Sequence, residues 1–175
     1  MNLLVIRHAI AEDKEAFAAS GRSDDQRPLT ESGREKMRRG AEGLRAVSPR
    51  IAVLASSPLV RARETAEIVA PVFKVPRVEI VEALRPERAF DDLVTWLRRR
   101  VPPNGDENSD LTVAVVGHEP HLGGLVTWLM TGSDQPRVNL KKGAACMLGF
   151  ERAPGKGEAI LRWALAPSQL RLLAD

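Results

Sequence analysis

Two arginines and two histidines stand out in this sequence because each follows an apolar stretch that is typical of a buried strand. Arg7 and His8 end the first such stretch, and His118 ends a later one. Arg61 lies shortly after another. Cationic and titratable groups are costly beside a packed core unless the strand end opens into a site. Polar pairs also end many strands that have no site, as a solvated arginine or a histidine with satisfied hydrogen bonds.

Together these four side chains suit the chemistry of a phosphoryl group. Its oxygens are anionic, and the permanently charged forks of Arg7 and Arg61 can donate to them in pairs. A neutral imidazole can attack phosphorus and form a phosphohistidine, which splits one difficult displacement into two easier steps. Nearby arginines help keep that imidazole uncharged, and a second histidine can donate to the phosphoryl oxygens in the transition state. A helix that begins after Ser57 could add its N-terminal dipole.

Strands that alternate with helices must position these side chains. The apolar stretches predict four strands and a closing β-hairpin, over residues 3–6, 51–55, 78–81, 111–117, 144–150 and 159–165. Apolar residues at helical spacing predict helices between them and a short helix over residues 168–174. This alternation predicts an α/β protein with a mainly parallel sheet covered on both faces. Ligands gather at the carboxyl ends of such strands, so the four side chains are expected along one edge.

Helix starts and loops carry further expectations. Thr30 is a plausible N-cap, and Ser57 with Pro58 is predicted to begin another helix. The charges of residues 9–28 are most simply a solvated rim, and residues 102–110 are expected to form a surface loop. The short chain favours an open site without a large lid, unless residues 9–28 fold over it.

Size and composition exclude several classes of protein. The 175 residues fit one domain over 1–175. A net charge of +3 suits an anionic substrate, while 4% aromatic content without tyrosine disfavours nucleic acid as a partner. The single cysteine, Cys146, lies in an apolar run and is expected to be a small core residue. With no signal peptide or membrane span in the sequence, we expect a soluble, cytoplasmic protein.

Four spaced motifs resemble those of the histidine phosphatase superfamily, which has the phosphoglycerate mutase-like fold. The motifs cover nearly the whole chain in the family's order and lie at residues 7–9, 27–33, 56–65 and 116–120. The short length and the segment Arg27-Pro28-Leu29-Thr30 look most like its compact branch, the SixA-type phosphohistidine phosphatases.

The resemblance implies both a fold and a set of roles. The fold would be a three-layer α/β/α sandwich whose mainly parallel sheet has an antiparallel edge strand. His8 would be the phosphorylated nucleophile, with Arg7, Arg61 and His118 forming the phosphate pocket and neither metal nor organic cofactor required. Ala9 departs from the family's usual glycine. Longer members use a carboxylate as general acid, for which Glu82 is only a weak candidate here, and the compact branch manages without one.

Other interpretations of these residues remain open. His118 and His121 are three residues apart and could share a metal on a helix, although a third ligand is missing and His121 is better explained as a rim or capping residue. Ser56 and Ser57 lack the nucleophile elbow of a serine hydrolase. Three functions are therefore compared. They are a phosphatase for phosphohistidine in a protein such as a phosphotransfer domain, a small-molecule phosphatase of the same superfamily, and a non-catalytic phosphate- or phosphopeptide-binding module.

Overall fold

A computed structural model describes residues 1–48, 50–100 and 111–174. The predicted surface loop over 102–110 lies outside these residues. The strands are β1 Asn2–Arg7, β2 Val53–Ser56, β3 Val78–Ile80, β4 Thr112–Gly117, β5 Ala145–Phe150 and β6 Ala159–Leu165. The helices are α1 Lys14–Ala18, α2 Glu31–Val47, α3 Val60–Val72, α4 Phe90–Arg98, α5 His121–Thr131 and α6 Pro167–Leu172. Short 3-10 helices cover Asp24–Gln26 and Glu82–Leu84.

The six strands form one sheet in the order β3-β2-β4-β1-β5-β6. The first four of these run parallel, so the predicted mainly parallel α/β sheet is confirmed. β5 runs antiparallel to β1 and forms the predicted hairpin with β6. The antiparallel strand is therefore next to the edge, and β6 takes the edge itself.

The central strand β1 divides the core in two because its side chains alternate between the faces of the sheet. Leu3 and Val5 pack with α4 and α5 on one face. Leu4 and Ile6 pack with α2, α3 and α6 on the other. All four are fully buried. This strand is covered on both sides, which explains its continuous apolar run and leaves its carboxyl end as the place where polar side chains begin.

Local signals place most helices where the sequence predicts them. The Thr30 side chain accepts a hydrogen bond from the Gly33 amide, so the predicted N-cap of α2 is confirmed. Cys146 is fully buried in the core as expected, and burial raises the pKa of its thiol to about 12. Within the described residues, no helix has the length and apolarity needed to cross a membrane.

Candidate active site

The four predicted site residues meet at the carboxyl ends of the parallel strands, where β1, β2 and β4 end. Arg7 is the last residue of β1 and lies opposite Gly117, the last residue of β4. His8 extends that pairing by donating its backbone N–H to the Gly117 carbonyl at 3.0 Å. His118 follows directly, and the rings of His8 and His118 lie with centroids 5.1 Å apart. Arg61 is the second residue of α3, beyond the end of β2.

Hydrogen bonds fix both the position and the tautomer of His8. Its backbone carbonyl accepts from the Gly143 amide at 3.1 Å, and its side-chain Nδ1 lies 2.7 Å from the Ala9 carbonyl oxygen. A carbonyl can only accept, so Nδ1 carries the proton of this bond. In the neutral ring Nε2 is then the nitrogen with the free lone pair. The bond therefore leaves Nε2 as the potential nucleophile.

Ala9 stands where the resembling family has glycine, and its backbone is not strained by the change. Among the described residues other than glycine, only Lys74 has a positive φ. The Ala9 amide donates to Thr65 Oγ1 at 3.0 Å, and that hydroxyl donates to the Arg61 carbonyl at 2.7 Å. Thr65 thus connects the loop that carries the nucleophile with the helix that carries Arg61, a role that sequence reasoning missed.

His118 is held by Ser57. Its Nε2 lies 2.8 Å from Ser57 Oγ, and both side chains are almost completely buried. The prediction that Ser57 is the N-cap of α3 is wrong, since the N-cap residue is Leu59 and no side chain caps the helix. The reason is that the Ser57 amide donates to the Val116 carbonyl at 3.0 Å, which continues the β2–β4 pairing and delays the helix.

Both histidines are held in the uncharged form. Burial lowers the pKa of His8 to about 3, assisted by the positive charges of Arg61, Arg7 and Arg27 and opposed by the Ala9 hydrogen bond. Burial also lowers the pKa of His118 to about 2, together with the charges of His8 and Arg61. Because an imidazole must be neutral to attack phosphorus, this electrostatic environment prepares His8 for that step.

Arg7 is positioned through the backbone of Leu140. The Arg7 Nη1 donates to the Leu140 carbonyl at 2.5 Å. The Leu140 amide in turn donates to Glu119 Oε1 at 2.6 Å, while Glu119 Oε2 accepts from the Gly123 amide at 3.1 Å. Burial lowers the pKa of Arg7, and the negative charge of Glu119 opposes this shift. Glu119 therefore supports Arg7 both electrostatically and through Leu140.

Arg61 is covered by the segment that precedes α2. Its Nη2 lies 3.0 Å from Asp24 Oδ2, and its Nη1 donates to the Asp24 carbonyl at 2.8 Å. The Asp24 Oδ1 accepts from Arg27 Nε at 2.7 Å. Two expectations are corrected here. Arg27 is only 8% exposed, so it is not part of a solvated rim, and the site is not open at Arg61 because residues 24–27 fold against it.

Polar nitrogens without a partner mark the place where an anion could bind. Among the described residues, the buried side-chain nitrogens that lack a hydrogen-bond partner are Arg7 Nε, Arg61 Nε, His118 Nδ1 and His121 Nδ1. Three of the four belong to the predicted quartet. The two arginine nitrogens are donors in every state, and an unpaired buried donor is costly, so they favour a ligand that accepts hydrogen bonds.

Two other candidates have their hydrogen-bond partners outside this quartet. Glu82 accepts from Arg85 Nε at 2.7 Å, and its side chain is 60% exposed. His121 is not at a rim, because it is buried beside Phe90 and its Nε2 lies 3.1 Å from the Arg88 carbonyl. Among residues 1–48, 50–100 and 111–174, no three side chains of His, Cys, Asp or Glu come together as metal ligands.

Comparisons with known proteins identify the family and the fold. The family model described as histidine phosphatase superfamily (branch 1) matches residues 3–96. An uncharacterized protein of Picosynechococcus is 32% identical over 142 residues, which is 81% of either chain. The phosphohistidine phosphatase SixA of Escherichia coli K12 is 25% identical over 173 residues and 98% of either chain. The solved structure of the protein histidine phosphatase SixA complexed with tungstate superposes with a TM-score of 0.78 at 25% identity, covering 97% of this chain and 99% of that one.

Proposed function

We infer that this chain, which belongs to the histidine phosphatase superfamily (branch 1), is a phosphatase that works through a phosphohistidine at His8 and acts on phosphohistidine in a protein. Membership of this superfamily and the similarity to SixA support phosphatase activity. The observation that carries the proposed mechanism is the hydrogen bond from His8 Nδ1 to the Ala9 carbonyl, because it leaves Nε2 of a neutral ring free to attack.

In the first step the lone pair of His8 Nε2 attacks phosphorus in line with the leaving group. A bond forms between Nε2 and phosphorus, and the bond between phosphorus and the leaving oxygen or nitrogen breaks. The electron pair of the broken bond stays with the leaving group, which takes its proton from solvent. The unpaired Nε atoms of Arg7 and Arg61 donate to the phosphoryl oxygens, where negative charge is concentrated. If Ser57 donates its hydroxyl proton to His118 Nε2, then Nδ1 carries a proton and completes the group of donors.

In the second step water attacks the phosphohistidine. A bond forms between the water oxygen and phosphorus, the bond to Nε2 breaks, and inorganic phosphate leaves. The electron pair of the broken bond returns to Nε2, and the proton lost by water leaves with phosphate or solvent. His8 is then neutral again, which its lowered pKa favours across the physiological range.

The surroundings of the quartet favour a nitrogen leaving group. Oxygen leaving groups need a general acid, and the nearby carboxylates are occupied as acceptors. Burial alone would raise the pKa of Asp24, but the hydrogen bond from Arg27 and the charges of Arg61 and Arg27 lower it overall. Glu119 accepts two backbone N–H groups, and Glu82 pairs with Arg85. The ring of phosphohistidine can take a proton from solvent on its second nitrogen and then leaves as neutral imidazole without an acid from the enzyme. We therefore propose phosphohistidine as the substrate and a phosphotransfer protein as the partner.

Phosphate release should be measured on a phosphohistidine peptide, p-nitrophenyl phosphate and a set of sugar phosphates. We expect the fastest turnover on phosphohistidine and none above background with His8→Ala. Brief reaction with labelled substrate should leave an acid-labile phosphoryl group on the wild-type chain, and this label should be missing from His8→Ala.

His121→Gln is the matched control, because His121 is the third histidine of the chain and hydrogen-bonds outside the quartet. It should keep both turnover and label. Turnover that persists in His8→Ala contradicts the assigned nucleophile. Preference for sugar phosphates would indicate a small-molecule phosphatase, and phosphate binding without turnover would indicate a binding module.

A further inference from the structure

A groove opens beside the nucleophile, on the α2 side of the sheet. It is lined by Ala9, by Met37 and Gly40 of α2, by Gly143 and by Pro167 of α6, and its volume is about 150 Å³. Two of these residues also hold His8. The Ala9 carbonyl accepts from the His8 ring, and the Gly143 amide donates to the His8 carbonyl. The groove therefore neighbours the candidate active site through Ala9 and Gly143.

The floor of this groove is apolar and its rim is basic. Ala9 and Met37 are almost fully buried at the floor. Lys36 and Lys142 are exposed at the rim, and Arg171 is half-buried there. Among the described residues, none of those that line it carries a carboxylate. Asp13 lies within the electrostatic reach of Lys142, since its pKa is lowered chiefly by hydrogen bonds from the Ala16 and Glu15 amides and to a lesser extent by the charges of Arg27 and Lys142.

We propose that this groove docks an acidic segment of the phosphorylated protein, with one apolar side chain on the floor and carboxylates against Lys36, Lys142 and Arg171. The proposal rests on the proposed function, since the docked segment delivers the phosphohistidine to His8. The volume suits one apolar anchor, because a cavity of about 150 Å³ accommodates a molecule the size of benzene. A buried anchor surrounded by a charged rim is also the usual anatomy of a protein interface.

The composition of the groove selects a protein over a nucleic acid. Single-stranded nucleic acid binds to aromatic side chains on which its bases stack, and the part of the chain that the structure describes contributes no aromatic residue to this groove. The net charge of the chain is only +3, whereas three cations are gathered at this rim. Such local positive charge beside an apolar floor is complementary to an amphipathic acidic segment.

Gly40 allows the groove to be filled with little disturbance of the helix. A Cβ built at this position meets no heavy atom within 4 Å, so the Cβ of Gly40→Leu enters open space and its side chain starts from a position that lines the groove. Ala46→Leu is the matched control, because Ala46 is exposed on the same helix and does not line the groove. The test of charge uses the double variant Lys36→Glu/Lys142→Glu. Its control is the double variant Arg152→Glu/Lys156→Glu. The latter pair lies in the β5–β6 turn, at the opposite end of the sheet.

The probes are two phosphohistidine peptides, one with a leucine flanked by glutamates and one with the same leucine flanked by lysines, and free phosphohistidine. The wild-type KM should be about fivefold lower for the acidic peptide than for the lysine peptide, as expected for a few exposed ion pairs. Gly40→Leu and the Lys36/Lys142 reversal should each raise that KM about fivefold or more while kcat changes little. Neither should alter turnover of free phosphohistidine, and both controls should behave as wild type.

Binding of the unphosphorylated peptides, followed by fluorescence anisotropy, separates this proposal from the proposed function. Preferential binding of the acidic peptide that is lost in Gly40→Leu supports the docking groove even if no substrate is turned over. Equal affinity for acidic and lysine peptides, or an affinity unchanged by both groove variants, overturns it. Turnover of phosphohistidine together with such equal binding would leave the phosphatase assignment intact and remove only the groove.

Discussion

Asp24 contacts Arg61 in the way that a phosphoryl oxygen would. Its Oδ2 lies 3.0 Å from Arg61 Nη2, and its Oδ1 accepts from Arg27 at 2.7 Å. A carboxylate thus neutralises part of the positive charge that an anionic substrate needs. The segment over residues 24–27 therefore covers Arg61. The carboxylate of Asp24 also competes with an anionic substrate for the Arg61 guanidinium.

Neutralising this carboxylate should strengthen anion binding. With Asp24→Asn, the guanidinium groups of Arg61 and Arg27 face less negative charge, so inorganic phosphate should inhibit several-fold more strongly. The variant should lose no more than about 1 kcal/mol of stability, because Asp24 is partly exposed and its ion pairs are screened by solvent. Inhibition constants for phosphate measure the effect. Asp25→Asn is the control, since Asp25 pairs with Arg85. An unchanged inhibition constant in Asp24→Asn would argue against competition.

Removing the Ser57 hydroxyl should disturb His118. In Ser57→Ala, Nε2 loses its partner, and the ring can take the tautomer that leaves Nδ1 without a proton to donate. We expect turnover to fall about tenfold, corresponding to one lost hydrogen bond of ordinary strength. Ser56→Ala is a closely matched control, because Ser56 is also fully buried but its hydroxyl donates to the neighbouring Ser57 carbonyl. Equal losses in the two variants would point to packing as the cause.

The Glu119 carboxylate should act as a positioning group for Arg7. Glu119→Gln retains the shape but places an amide N–H against one of the two backbone N–H groups that the carboxylate accepts. We expect the free energy of unfolding to fall by about 1.5–3 kcal/mol, as for lost hydrogen bonds to a charged group. We also expect kcat to fall while KM changes less. Thermal unfolding and steady-state kinetics measure both effects. Glu87→Gln, at an exposed site, should change neither, and a Glu119→Gln variant with normal kcat would exclude this role.

Acid should destabilise the fold through its buried histidines. The folded-state pKa values of His8 and His118 are about 3 and about 2, below the ordinary value of 6.5. Between these values the unfolded chain binds more protons than the folded chain. The contribution of these histidines to stability is therefore complete above about pH 6.5 and is lost as the pH falls toward the folded-state values. His121, whose pKa is also lowered by burial, acts in the same direction.

Each buried histidine should contribute a slope of up to about 1.4 kcal/mol per pH unit below pH 6.5. Denaturant unfolding at several pH values between 6.5 and 4.5 measures the total slope. His118→Asn should reduce it by about one histidine's share, while Arg152→Glu at the far turn should leave it unchanged. A wild-type stability that stays constant over this range would contradict the neutral state of these rings.

Part of the site could be predicted without coordinates because it depends on strand ends. Arg7, His8 and His118 follow apolar runs, and the carboxyl ends of parallel strands meet at one edge of a sheet whatever the details of packing. The same rule predicts the position of Arg61, since it lies in the first turn of the helix after β2. Arg27 lies in the segment that resembles the family, but a charge in a polar loop predicts a solvated rim, whereas the structure buries it against Asp24.

The remaining relationships depend on side chains that are far apart along the chain. Asp24 reaches Arg61, and Leu140 reaches Glu119, because the segments that carry Asp24 and Leu140 fold back over the ends of the strands. Ser57 reaches His118 because the backbone pairing of β2 and β4 continues to Ser57, which brings it beside the residue that follows β4. Loop paths have no periodic pattern from which such contacts could be foreseen. The start of α3 was misplaced for a related reason, because a hydrogen bond between Ser57 and Val116 overrode the capping preference of serine.

The sequence by itself determined the alternation of strands and helices and the four side chains at one sheet edge, because burial on both faces dictates continuous apolar runs that end where polar residues begin. The tertiary structure alone decided which nitrogen of His8 is free, what holds His118 and Arg7, and that Asp24 covers Arg61. Those features are set by directional hydrogen bonds over a few ångströms, which residue types and spacing do not specify.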